Sequence, residues 1–365
     1  MKAVAVFPSQ RRFDVISHPE PTLTSPSQLK IRMLDVGICG TDKEIVAFEY
    51  GTPPERSEYL IIGHESLGQV MEVGEKVTRV RKGDLAVLTV RRPCSHPECI
   101  ACRAGRQDFC YTGDFTERGI KQVHGYMTEQ VVEEERYVNT VPDELRDVGV
   151  LVEPLTIAEK AMTQLWEVQK RLPWVASGDA HHAVVLGAGP VGLLGAMKLV
   201  LEGFDTTVYS KTRAGDHVAG LVTSIGAKFV HAETASVSDL ATLVGNIDVV
   251  YEAVGASSLA FEVIQHLGTN GVFIFTGVPG RKAPIAVDTD LLMRDAVLKN
   301  QMIFGTVNAP PESFAAAIRD LGEFHARWPN AVKSIITHRV PIERVGEPLS
   351  GKLGGIKNVV SIGRE

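Results

Sequence analysis

Cys94, Cys99, Cys102 and Cys110 fall within seventeen positions of a stretch rich in Pro, Gly and charge. A lobe of that size, about 91–113, is too short to fold by burial alone, and four thiolates match the tetrahedral preference of zinc. A site closed by four sulfurs has no open corner, so its expected role is to hold the lobe together and not to do chemistry. His96 could replace one cysteine, but four thiolates suffice. An iron–sulfur cluster or a nucleic-acid zinc ribbon fits the mixed local charge poorly. A second set is dispersed: Cys39 within Gly37-Ile38-Cys39-Gly40-Thr41-Asp42, His64 and Glu65 after Gly63, and Glu153 before Pro154. Each residue alone reads as well as core. Together they offer a thiolate, an imidazole and two carboxylates, enough for three ligands and one exchangeable position, which is what a catalytic zinc requires.

A third constellation is glycine-rich. Gly187-Ala188-Gly189-Pro190-Val191-Gly192 follows the apolar run Ala183 to Leu186 and opens an apolar helix, the context in which such a fingerprint binds a dinucleotide. Gly187 makes the tight turn, Gly189 admits a pyrophosphate, and Gly192 lets helix and strand pack closely. About twenty residues on, where an NAD binder offers a carboxylate to the ribose, stand Ser210, Lys211, Thr212 and Arg213. Basic side chains would attract a 2′-phosphate that a carboxylate would repel, so NADP is favoured, with NAD also admitted.

These sites must be carried by two kinds of framework. Short alternating runs at 3–7, 28–36, 66–73, 84–90 and 126–132, punctuated by Gly, Pro and Asp, predict a mostly β unit over the first 150 residues. A helical pattern from Glu153 to about Lys170 marks the change of domain. Strand and helix signals then alternate from His182 to Thr276, which predicts a parallel sheet covered by helices on both faces. The final fifty residues hold a helix from about Glu312 to Phe324 and two β-like pieces, expected to return to the first unit. The domains expected are therefore 1–153 with 309–365, and 154–308.

The 365 residues carry a formal net charge of −6 and 44% hydrophobic residues, leaving no electrostatic footprint for nucleic acid or an anionic membrane. The longest apolar stretch, 183–197, is fifteen residues against the roughly twenty a bilayer needs. With no secretory h-region and an odd number of clustered cysteines, the expected compartment is the cytoplasm. His18, His181, His182 and His231 read as surface or core histidines, and Glu133-Glu134-Glu135 as a solvated turn.

In this order, Gly37 to Asp42, Gly63-His64-Glu65, Gly83-Asp84, the cysteine lobe and Gly187 to Gly192 resemble the zinc-containing medium-chain dehydrogenase/reductases along essentially the whole chain. Thr89 to Cys94, Thr112 to Ile120, His124 to Met127 and Lys333 to Thr337 resemble the archaeal-type glucose dehydrogenases. The resemblance implies an α/β chain with a GroES-like catalytic domain, a Rossmann domain, and an active site in the cleft between them. It implies oxidation of a sugar, D-glucose foremost, at C1 to the lactone. Carried over by residue, Cys39 and His64 would ligate zinc, with Glu65 and Glu153 as carboxylates that ligate or exchange with water. Thr41 would relay the substrate proton. Glu117 and Asn308 would line the pocket for sugar and nicotinamide, with Asp42 and Asp114 also expected to contact substrate. Val254, Gly277, Val278, Val307 and Asn308 are expected at the cofactor. A homodimer or homotetramer is implied. Ile157 replaces an Asp that some relatives offer to the sugar, and the four-residue spacing between Cys94 and Cys99 exceeds the two common in relatives. A relative acting on a polyol, a simple alcohol or a hydroxy-amino acid is the nearest alternative, and a nucleotide-binding protein without catalysis a remote one.

Overall fold

The computed structural model describes all residues except 176, 177, 179, 213–216, 281–283, 364 and 365. They group into two compact units, residues 1–156 with 308–325 and 336–365, and residues 157–307 with 326–335. The first boundary lies three residues past the expected Glu153. The segment 326–335 groups with the second unit, whereas the sequence assigned it to the first.

In the first unit, strands β1 (Lys2–Phe7), β2 (Gln28–Gly37), β3 (Glu65–Val73), β4 (Leu85–Leu88) and β5 (Gln130–Glu134) follow the predicted runs, and β6 (Val138–Val141) is a strand the sequence reading did not include. The helix α1 (Gly40–Val46) leaves the end of β2. The exception is 126–132, where the ladder begins only at Gln130; Tyr126 and Met127 instead give their N–H groups to Gly63 and Ile62. The Glu133 to Glu135 run is no solvated turn. Glu133 faces inward at 4% exposure and its carboxylate accepts from Arg92 and Arg118, so burial of the charge is offset by two guanidinium groups.

The second unit is built on six parallel strands: β7 (His182–Leu186), β8 (Asp205–Ser210), β9 (Lys228–His231), β10 (Ile247–Glu252), β11 (Leu267–Phe275) and β12 (Met302–Gly305), in the order β9-β8-β7-β10-β11-β12. The order reverses between β7 and β10, which is where a doubly wound sheet opens a crevice at the strands' carboxyl ends. Val184, Leu186, Val250 and Phe273 are fully buried, as expected of strands covered on both faces. The helices flanking this sheet include α2 (Val152–Gln169), which enters from the first unit, and α3 (Pro190–Leu201), α4 (Ser257–Ile264) and α5 (Thr289–Leu298). Strand β9, helix α5 and strand β12 lack strong periodicity and escaped the sequence reading.

The chain then returns to the first unit with β13 (Ile336–Pro341) and β14 (Lys357–Ser361). They complete a seven-stranded sheet ordered β6-β4-β3-β2-β14-β13, with β5 on β2. Strand β14 runs antiparallel to β2, placing Val359 opposite Gly37. Among the described residues, no helix is long and apolar enough to cross a membrane.

Candidate active site

Residues 36 to 42 turn from strand to helix, and Cys39 occupies the cap of α1 in an extended conformation. Asp42, on the first turn, reaches back to accept the Cys39 N–H at 2.8 Å and the Gly63 N–H at 3.2 Å. It is fully buried, so its oxygens are committed to backbone and it supports the two loops from beneath; the structure does not place it where a substrate could touch it. Asp42 Oδ1 also lies 3.7 Å from His64 Nδ1, which has no hydrogen-bond partner among the described residues. Burial disfavours a charged His64, but Asp42 and Cys39 outweigh it and hold its pKa well above the usual value.

Strand pairing explains how Glu65 arrives at the same point. Gly37 on β2 pairs with Glu65 on β3, and a Cβ at position 37 would stand 2.0 Å from Glu65 Oε2. The missing side chain opens a gap through which the Glu65 carboxylate reaches Lys357 on β14. Lys357 Nζ donates to both carboxylate oxygens, at 2.7 and 2.6 Å, and to the Ile38 carbonyl at 3.1 Å. Burial lowers the Lys357 pKa, yet Glu65, Cys39 and Glu153 together raise it above the ordinary lysine value. Sequence reasoning missed Lys357 because it lies 292 residues from its partner, with no motif around it.

One donor atom each from Cys39, His64 and Glu65 lie within 4.8 Å of one another. A thiolate, an imidazole and a carboxylate at that spacing fit zinc. Glu153 opens α2 nearby, and its carboxyl is pushed up to about 7, first by burial and then by Glu65 and Asp42, against His64 and Lys357. The Thr41 hydroxyl lies 3.9 Å from Cys39 Sγ.

Glu117 is 6% exposed, and a single oxygen, Oε1, accepts from Arg91 Nε at 3.0 Å, Arg91 Nη2 at 2.9 Å and Asn308 Nδ2 at 3.1 Å. Arg91, which the sequence did not single out, lies over the Phe115 ring at 3.7 Å. Asn308 is held at φ 57°, and its Oδ1 is buried with no hydrogen-bond partner among the described residues. Asp114 is placed elsewhere: its side chain is two-thirds exposed and pairs with His96 at 2.5 Å in the cysteine lobe. His96 thus serves the lobe through carboxylates, while Cys94, Cys99, Cys102 and Cys110 bring their sulfurs within 4.8 Å of one another. No disulfide forms; all five cysteines are free. The closed four-sulfur set fits structural zinc.

In the second unit, Gly187 takes φ +96° and Gly189 caps α3, with Pro190 at its first position and Val191 next. A Cβ at Gly192 would stand 2.2 Å from the Gly187 carbonyl oxygen, whereas one at Gly189 would meet nothing within 4 Å. Glycine at 192 is therefore required by packing, while the space at Gly189 is open, the room a pyrophosphate needs at a helix N-terminus. Ser210 ends β8, its Oγ 3.0 Å from Thr212 Oγ1, and Lys211 is exposed beside it. Among the described residues no carboxylate stands at that strand end, so the site suits a phosphorylated ribose. Arg213 lies outside the described residues.

Two family descriptions match the chain: an alcohol dehydrogenase GroES-like domain over residues 25–143 and a glucose dehydrogenase C-terminus over residues 146–362. Glucose 1-dehydrogenase of Methanocella arvoryzae is 37% identical over 366 residues, covering all of both chains. That of Thermoproteus tenax is 38% identical over 369 residues, covering 99% of each. A structure of Haloferax mediterranei glucose dehydrogenase in complex with NADP, zinc and gluconolactone superposes with a TM-score of 0.89 at 29% identity over the full length of both chains.

Proposed function

Because this chain belongs to the archaeal-type glucose dehydrogenases, a branch of the zinc-containing medium-chain dehydrogenase/reductases, we propose that it oxidises an aldose, D-glucose foremost, at C1 to the 1,5-lactone with hydride transfer to NADP. The observation that carries the reading is the convergence of Cys39, His64 and Glu65 donor atoms, supported by loops that Asp42 ties together. Zinc, when bound there, supplies Lewis acidity that lowers the pKa of the C1 hydroxyl. Cys39 and His64 hold it, with Glu65 or Glu153 as the third ligand. Thr41, next to the thiolate, receives the hydroxyl proton and passes it toward solvent. Glu117, kept in orientation by Arg91, and Asn308 Oδ1, which has no partner among the described residues, accept hydroxyl hydrogens of the sugar. Gly187 to Gly192 receive the pyrophosphate, and Ser210 with Lys211 the 2′-phosphate.

A homo-oligomer is part of the proposal. Met293, Val297 and Leu298 on α5, and Met302 and Ile303 on the edge strand β12, are exposed, apolar side chains beside a strand edge that pairs with no further strand among the described residues and that a second copy would cover. Four sulfurs gathered at one point and no disulfide suit a reducing compartment, the cytoplasm.

Initial rates with glucose, galactose, xylose, sorbitol and threonine, each with NADP and NAD before and after chelation, test the reading. Glucose with NADP is expected to lead, with activity lost on chelation. Cys39→Ser is expected to abolish turnover while NADP still binds; undiminished turnover would refute the metal assignment.

A further inference from the structure

Strand β10 runs Ile247-Asp248-Val249-Val250-Tyr251 through the interior and then ends in a carboxylate. Glu252 is 1% exposed, and among the described residues no cation forms an ion pair with it. A polar group at such depth is unfavourable unless hydrogen-bond partners are supplied, so the donors it collects reveal its use. Glu252 Oε1 accepts the N–H groups of Val254 and Gly255, both at 2.7 Å. The Glu252 carbonyl accepts from Thr276 Oγ1 at 2.7 Å, Thr276 N at 3.0 Å and Gly277 N at 3.1 Å. One residue therefore fastens the loop after β10 with its side chain and the loop after β11 with its main chain.

The two loops interlock over glycine. A Cβ at Gly277 would lie 2.2 Å from Gly255 N and 2.8 Å from Glu252 Oε2, and one at Gly255, at φ +71°, would lie 2.8 Å from the Val278 carbonyl oxygen. From this junction two large apolar side chains stand in solvent, Val254 at 48% and Val278 at 75% exposure. Val254 also overlies the fingerprint: a Cβ at Gly187 would meet its Cγ2 at 2.7 Å. In register, Glu252 is level with Leu186 and Phe275, at the carboxyl ends of strands on the β10 side of the reversal. The adenosine half belongs over β7 to β9, where Ser210 and Lys211 stand, so the β10 to β12 side is left for the nicotinamide half.

We propose that Glu252 is a positioning residue for the nicotinamide half of the cofactor, locking the loops of Val254 and Val278 into one apolar shelf against which the ring rests. The inference rests on the cofactor site proposed above, and the experiment separates the two. Equilibrium binding of NADP and of adenosine 2′,5′-bisphosphate, which lacks the nicotinamide half, is measured for the zinc-loaded enzyme and its variants. Glu252→Leu is expected to weaken NADP by about tenfold while changing bisphosphate affinity less than about twofold. Glu252→Gln retains an oxygen for the same two N–H groups and is expected to recover most of the NADP affinity. Thr276→Val, a milder change at a partly exposed position, is expected to cost NADP about threefold and the bisphosphate nothing, and decides the matter if the leucine variant does not fold. Unchanged NADP binding in the variants, or equal losses for both nucleotides, would overturn the proposal. Failure of the wild-type protein to bind the bisphosphate would instead remove the cofactor site, and the shelf with it.

Discussion

The buried pair of Lys357 and Glu65 yields the sharpest expectation. Their side chains are 3% and 2% exposed, and both carboxylate oxygens are taken by one ammonium. Replacing Lys357 with Met keeps the volume but strands an anion in the interior, a loss of about 3–5 kcal/mol in the zinc-free protein, where no metal charge can compensate. The first unit holds about two hundred residues. At roughly 2–4 °C per kcal/mol for that size, its melting temperature should fall by about 6–20 °C. Glu65→Gln should cost less, because Cys39 and Glu153 also act on the Lys357 charge. The double variant should lose well under the sum of the two single losses, since neither charge is then stranded. Thermal scans of the four proteins after chelation, with zinc restored in a parallel set, measure this. A Lys357→Met loss under about 2 °C, or strict additivity in the double variant, would refute the claim that these two charges depend on each other.

Lys211→Asp places a carboxylate where the 2′-phosphate is proposed to lie. The ratio of kcat/KM for NADP to that for NAD should drop by at least about tenfold, and less in high salt because the position is exposed; an unchanged ratio would clear Lys211 of that role. His124 Nδ1 accepts the Ile61 N–H at 3.1 Å, and burial, with His18 and Arg118 adding to it, lowers its pKa to about 4. Between pH 6.5 and about 4 the unfolded chain takes up a proton that the folded one refuses, so stability falls as pH falls through that window. The full difference corresponds to about 3 kcal/mol, cut to roughly 1–2 kcal/mol by partial solvent exposure. Denaturation midpoints across the window should therefore slope less steeply in His124→Asn than in the wild-type protein, and equal slopes would contradict the assignment.

The cysteine lobe, the glycine fingerprint and the alternation of strand and helix were legible because each depends on neighbours along the chain. Four cysteines within seventeen positions can hardly avoid one another, and Gly187 to Gly192 act within a single turn. The proposed metal donors of the active site were legible only as types. Cys39, His64 and Glu65 could be named, but their meeting within 4.8 Å is a product of strand register. What the chain order concealed is the support beneath them: Lys357 coming from the last strand through the gap at Gly37, Arg91 saturating one oxygen of Glu117, and Glu252 fastening two loops. Asp42 and Glu133, read as substrate contact and solvated turn, were misplaced for the same reason. Whether a carboxylate faces solvent or a buried donor depends on which strand folds over it, and pairings across tens to hundreds of residues leave no trace in local composition. Residue chemistry therefore determined which groups could act, while long-range strand pairing decided which of them are exposed to act and which are held in place.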